Sequence, residues 1–156
     1  GKGFFQLMKN FEFERVVAVA VILGEAQAAL EDAAKYSLQR HTFEKPIASY
    51  QLIQQKLVDM EIAVRNTRNL VYEAAWRMDN GLDVRLHTSL LKRYGAPACW
   101  KVADDALQIF GGLGFTTETR VGRIMLDCRG VRIGGGTDEI MVYIAGRMIP
   151  KLYANA

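Results

Sequence analysis

Apolar residues recur along this chain in steps of three and four, most clearly between residues 50 and 78. Tyr50, Ile53, Leu57, Met60, Val64, Thr67, Val71, Ala74 and Met78 fall on one stripe of a helix. Asn80 and Gly81 then supply the residues that end one. This is the pattern of a bundle helix. Upstream, RVVAVAVILGEAQAALEDAAKYSLQR, from Arg15 to Arg40, opens on β-branched residues that could form a strand. Its continuation in Ala, Leu, Glu and Lys over about seven turns decides for helix. The first half of that segment is apolar all round, which predicts burial on both sides.

A third helix is predicted from Val84 to Phe110, with Pro97 inside it expected to kink it or divide it in two, since proline lacks the N–H and crowds the preceding turn. A short fourth segment covers Val121 to Cys128, and a last helix runs from Thr137 to Tyr153. No stretch alternates with period two, so no sheet is expected. The elements add up to an all-α fold, a four-helix-type up-down bundle with short additional helices. No internal repeat or low-complexity segment interrupts it.

Composition narrows the function without choosing one. The chain has 156 residues, half of them hydrophobic and about a quarter charged, enough for one compact domain with a sizeable core. The net charge of +3 comes from interspersed acids and bases with no like-charge run, which argues against nucleic acid as a partner. The longest apolar run, Val16 to Leu23, is too short to span a bilayer, and no signal-peptide pattern opens the sequence. Cys99, Cys128, His41 and His87 show no metal-ligand spacing. Reduced thiols in a cytoplasmic setting are expected, with no metal and no membrane partner.

Candidate chemistry gathers around glycine. In CRGVRIGGGTDEIMVYIAGR, Thr137 can cap the last helix, with Asp138 and Glu139 in its first turn. One reading is a flexible connection before a well-capped helix. The other is that Gly134, Gly135 and Gly136 let a ligand lie against backbone N–H groups. The two acids would oppose a phosphate there; a neutral carbonyl or a ribityl hydroxyl suits better. A second cluster, LQIFGGLGF, follows a helix and not a strand, so it is no dinucleotide fingerprint. A third stretch, QRHTFEKPIASYQLIQQK, places Arg40, Phe43 and Gln51 at a helix–helix corner.

Taken with FEFERVVAVAVILGEAQAALEDAAKY, these three stretches resemble the acyl-CoA dehydrogenase family, in its C-terminal helical domain, and the resemblance covers essentially the whole chain. In style, YEAAWRMDNG and RIGGGTDEIMVYIAGR look closest to the bacterial branch containing crotonobetainyl-CoA reductase. The resemblance implies an FAD enzyme and oxidoreductase acting on an acyl-CoA thioester. A carboxylate removes a proton from Cα and hydride passes from Cβ to the flavin, or the reverse occurs on an enoyl-CoA. It implies that Arg40 and Gln51 reach the flavin of a dimer partner, with Phe43 close by. Gln108, Ile109, Phe110, Gly111 and Gly112 would line its adenine and pyrophosphate across the same interface. Thr137, Asp138 and Glu139 would contact the flavin of their own subunit. Gly135 and Gly136 would lie beside the thioester, in a cavity lined by Phe11, Glu12 and Arg15. The implied partners are an electron-transferring flavoprotein and further copies of the chain, in a dimer or tetramer.

One departure from the family bears on the chemistry. Medium-chain members carry their catalytic Glu at the position of Gly135, in a Glu-Gly-Thr motif, and that carboxylate is absent here. Long-chain and isovaleryl members place it instead on the first helix, immediately before an Arg, and Glu14-Arg15 match that arrangement. By this resemblance Glu14 is the base, and the Gly135 amide, with a ribityl hydroxyl, holds the developing enolate oxygen. Read without the resemblance, Glu14 would be an acid at a helix start, satisfied by the dipole. Further departures are Glu44, where a Gly usually follows the Phe, Leu126, where an Arg commonly precedes Asp127, and Pro97. Residues 1–156 are therefore expected to be the C-terminal domain of a larger enzyme. An N-terminal helical and a middle β-domain would precede them, and the piece alone would be inactive. The competing expectation is a non-catalytic helical oligomerisation module that has lost the chemistry, for which Gly135 in place of Glu is the best argument.

Overall fold

The structure is a computed structural model that describes residues 1–154. Five helices account for nearly all of it: α1 (Gly3–Gln39), α2 (Gln51–Asp79), α3 (Arg85–Phe110), α4 (Val121–Val131) and α5 (Asp138–Tyr153). Short 3-10 turns, Ile47–Ser49 and Gly111–Phe115, precede α2 and follow α3. Central to the bundle is α3, which packs against each of the other four helices, while α1 also meets α2 and α4. All nine residues of the periodic stripe on α2 are buried or half-buried, with Met60, Val64, Thr67, Val71 and Ala74 fully so. No described helix is long and apolar enough to cross a membrane.

Four expectations are corrected. The first helix begins at Gly3, twelve residues before Arg15, and residues 1–10 are all exposed. The apolar first half of the Arg15–Arg40 segment is not buried all round: Val19 and Ile22 enter the core, but Val17 and Val21 are 43% and 58% exposed. Of the two outcomes expected at Pro97, division does not occur, since α3 runs unbroken from Arg85 to Phe110. Buried residues flank it on both sides, Leu91 and Ala96 before it and Cys99 and Val102 after it, and their packing outweighs the roughly 3 kcal/mol that an internal proline costs. Finally, β1 (His41–Thr42) and β2 (Lys45–Pro46) form a two-residue antiparallel hairpin at the α1–α2 corner, too short to show alternation.

That hairpin turns through Phe43 and Glu44, both at positive φ (48° and 65°). Glu44 thus occupies a left-handed conformation that glycine adopts without penalty. Glu44→Gly is expected to stabilise the domain by roughly 0.5–1 kcal/mol, net of the added freedom of the unfolded chain, and so to raise Tm by about 2 °C. A lower Tm would show that the glutamate makes a compensating contact.

Elsewhere a glycine is required for a different reason. A Cβ at Gly95 of α3 would sit 2.7 Å from Val19 Cγ1 and 3.0 Å from Thr67 Cγ2, so the bare backbone permits α1, α2 and α3 to meet closely. Asp105 of α3, nearly buried, receives Lys56 from α2 and Lys101 from its own helix, each at 2.5 Å. Both cysteines are buried as free thiols, and burial pushes each up to about 12 from the ordinary 9.0. In the unfolded chain they ionise near pH 9, so stability should fall as pH rises from there towards 12. Native protein at pH 8 is expected to react with a thiol reagent only as fast as it opens; immediate labelling would contradict this burial.

Candidate functional site

The loop between α4 and α5 carries the three glycines. Gly134 N–H still donates to Gly130 O at 3.0 Å, closing α4, whereas Gly135 and Gly136 have φ of +67° and +108°. Only glycine takes these conformations freely, which explains the bare backbone at both. Thr137 then caps α5, its hydroxyl accepting from Ile140 N–H at 3.4 Å, as predicted. A Cβ on Gly136 would also lie 2.8 Å from Met141 Cε.

Behind the loop lie two buried cations. Arg15, from α1, donates through Nε to Gly135 O at 3.3 Å. Lys92, from α3, is fully buried and donates its ammonium to Gly136 O. Burial pulls the pKa of both below the usual range. For Arg15, Glu12 opposes that fall and Arg85 adds to it; for Lys92, Asp138 opposes and Arg15 adds. Asp138 is itself held by Arg132 at 2.8 Å, and the Arg132 guanidinium lies over the Trp100 ring, 5.2 Å from its centroid. Glu139 is exposed and held below the ordinary carboxylate range, first by its own backbone amide and then by the Thr137 hydroxyl. Both carbonyls of the loop therefore face cations within the bundle. Among the described residues, the amides of Gly135, Gly136 and Thr137 have no acceptor.

Glu14 is placed differently from the expectation. It does not open a helix but lies within α1, eleven residues or about 16 Å beyond its first residue, where the helix dipole no longer acts. Its carboxylate is exposed and accepts from Asn10 Nδ2 at 2.6 Å, while neighbouring Arg15 turns into the bundle. Phe11 and Glu12 are half-buried on the preceding turn.

The second group gathers at the other end of α1. Arg40, Ile109, Phe110, Gly111 and Gly112 surround a hollow of about 340 Å³ together with Tyr36 and Ile47. Tyr36 stacks on Phe110 with centroids 4.3 Å apart. Gly111 ends α3 at φ +61°, and a Cβ at Gly111 or Gly112 would meet nothing within 4 Å. Phe43 and Gln51 line an adjoining hollow of about 650 Å³ that shares Ile47. Gln108 is exposed on the last turn of α3 and outside both linings. Arg40 and Arg15 are 25 residues apart along one helix, about 37 Å. The predicted residues thus form two groups at opposite ends of the bundle. Leu126, the departure on α4, is 66% exposed and borders a third hollow, with Phe115 and Arg123.

Lys92 and Arg132 were not singled out by the sequence. For Lys92 a signal existed: Ser89, Lys92, Ala96, Cys99, Ala103 and Ala106 follow the buried stripe of α3, and a lysine among small residues there has no route to solvent.

Residues 1–149 match the family described as acyl-CoA dehydrogenase, C-terminal domain. The probable acyl-CoA dehydrogenase YdiO of Escherichia coli K12 is 50% identical over 155 residues, covering 99% of this chain and 40% of that protein. Among solved structures, an acyl-CoA dehydrogenase from Slackia heliotrinireducens superposes with a TM-score of 0.94 at 46% identity, covering all of this chain and 41% of that one. The butyryl-CoA dehydrogenase of Megasphaera elsdenii gives 0.93 at 37% identity, covering 96% and 39%. The chain spans about 40% of the length of these relatives.

Proposed function

Because the chain belongs to the acyl-CoA dehydrogenase family, as its C-terminal domain, we propose that it builds one wall of a flavin site where an acyl-CoA is oxidised or an enoyl-CoA reduced. Members of the family bind FAD, which when bound supplies the hydride acceptor. The residues fit such a group. Arg40 brings a cation to a hollow whose floor, at Gly111 and Gly112, leaves open the space a Cβ would fill, which suits a pyrophosphate. At the other end, the acceptor-free amides of Gly135 to Thr137 suit a carbonyl or hydroxyl oxygen.

The observation that carries this reading is the pairing of Arg15 and Lys92 with the carbonyls of Gly135 and Gly136. It leaves the loop's donors for a ligand and sets them beside the helix that bears Glu14. Glu14 takes the Cα proton, and the loop amides receive the negative charge that gathers on the thioester oxygen. An acid at position 135 would be strained, because φ of +67° is a backbone conformation that L-residues rarely adopt.

The 37 Å between the two groups exceeds the reach of one dinucleotide, so each flavin would touch Gly135–Glu139 of one subunit and Arg40, Phe43, Gln51 and Gln108–Gly112 of its partner. Phe4, Phe5, Phe13, Leu52, Tyr72 and Trp76 are each more than half exposed, apolar surface that further domains and subunits would cover. The larger enzyme would carry N-terminal helical and middle β-domains, work as a dimer or tetramer and pass electrons to or from an electron-transferring flavoprotein. The domain alone would be inactive. A crotonobetainyl-CoA reductase-like branch rests on two sequence stretches. Gly135 in place of Glu keeps a second reading, a non-catalytic oligomerisation module, in play. The full-length protein should purify with flavin absorbance that bleaches under one saturated acyl-CoA, or recovers under one enoyl-CoA, from a panel of chain lengths. A colourless protein inert to all of them would favour the module.

A further inference from the structure

Lys92 is the largest fully buried side chain in the bundle, and its position has no explanation in packing alone. Burying an ammonium is costly unless a partner compensates it, and a methionine of similar length would fill the same space. No carboxylate bonds it: the nearby Asp138 gives its Oδ2 to Arg132, and the only acceptor Lys92 meets among the described residues is a backbone carbonyl in a loop 44 residues away. Arg15 repeats the arrangement on the preceding peptide, from 120 residues away. A trans peptide is planar, so its C=O and the N–H of the next residue point in opposite directions. Turning Gly135 O towards Arg15 therefore turns the Gly136 N–H away from the bundle, and turning Gly136 O towards Lys92 does the same for Thr137 N–H.

We infer that Lys92, acting with Arg15, is a positioning residue: the two cations clamp consecutive peptides so that the amides of Gly136 and Thr137 join that of Gly135 in a row of outward donors for the thioester oxygen. Neither cation touches the reacting atoms. Each works through the peptide it holds and through the positive charge it places behind that peptide, which stabilises negative charge gathering on the far side. Asp138 and Arg132 fix the start of α5 and so the end of the clamped segment. The clamp rests on the proposal that this loop faces a thioester, and its test must separate the two.

The experiment is Lys92→Met in the full-length enzyme. Melting temperature and flavin content should be retained, since the side chain is replaced at nearly constant volume. Amide hydrogen exchange at Ile140 and Met141, whose N–H groups bond Thr137 at the end of the clamped segment, should accelerate about tenfold or more as the inward carbonyl loses its partner. The rate constant kcat should fall about tenfold or more with KM little changed, because the oriented donors act on charge that develops in the transition state. The C=O stretch of a bound, carbon-13-labelled acyl-CoA should move towards its value in free solution. Unchanged exchange, kcat and carbonyl frequency would overturn the clamp. Should Lys92→Met fail to fold, Arg15→Lys, which keeps a cation but removes the Nε donor, is expected to shift the same three quantities in the same direction, and no shift there would be equally fatal. If the unmodified enzyme turns over no acyl-CoA, the functional proposal falls, and amide exchange alone still decides the clamp.

Discussion

Glu14→Gln in the full-length enzyme is expected to abolish measurable turnover while leaving flavin binding and melting temperature unchanged. The substitution keeps the size of the side chain and an oxygen to accept from Asn10, so α1 loses nothing structural. The group around Arg40, proposed to hold flavin, lies at the far end of the same helix and should not sense the change. What is lost is the only carboxylate that the family resemblance places beside Cα, and removing a general base typically costs about 10²- to 10⁴-fold in rate. Anaerobic mixing with the best acyl-CoA, followed by flavin bleaching, measures the step directly. A rate within tenfold of the unmodified enzyme would exclude Glu14 and return the search for a base to Glu12 and to residues outside this domain.

Two inactive variants are expected to restore activity when they share an oligomer. Arg40→Glu places a negative charge where a pyrophosphate would lie and should empty the flavin site of the neighbouring subunit; Glu14→Gln should silence the chemistry of its own. If each flavin is held by the Gly135 end of one chain and the Arg40 end of its partner, a mixed dimer contains one site with both defects and one with neither. Coexpression in equal amounts then yields roughly a quarter of the normal activity, half the dimers being mixed and each carrying one intact site. If both ends served a flavin of the same chain, every site would carry one defect and coexpression would restore nothing. The second outcome would refute the division of labour drawn from the 37 Å separation, leaving the base assignment intact. The effect is large because it compares recovery with none.

Local properties were legible from the chain. The stripe on α2, the stop at Asn80-Gly81, the Thr137 cap and the glycine demand at Gly135 and Gly136 each depend on residues within a turn or two of one another. The start of α1 was not legible: Gly1, Gly3 and the aromatics that follow carry little helical signal of their own, so the helix appeared to open near Glu14 when it opens at Gly3. Pro97 and Glu44 misled or went unexplained for a related reason, since their costs are local while the packing and the hairpin that absorb them are not. The two-group arrangement of the candidate site was present in the sequence only through family resemblance.

By itself, then, the sequence determined the helices, their caps and turns, and the absence of a carboxylate at Gly135, because periodicity and backbone preference are written in near neighbours. The tertiary structure alone decided that Gly95 lets three helices meet, that Arg15 and Lys92 stand behind the glycine loop, and that Glu14 faces outward beside them. Those contacts join residues far apart in sequence, and only packing the bundle determines which of them meet and which charges are taken out of water.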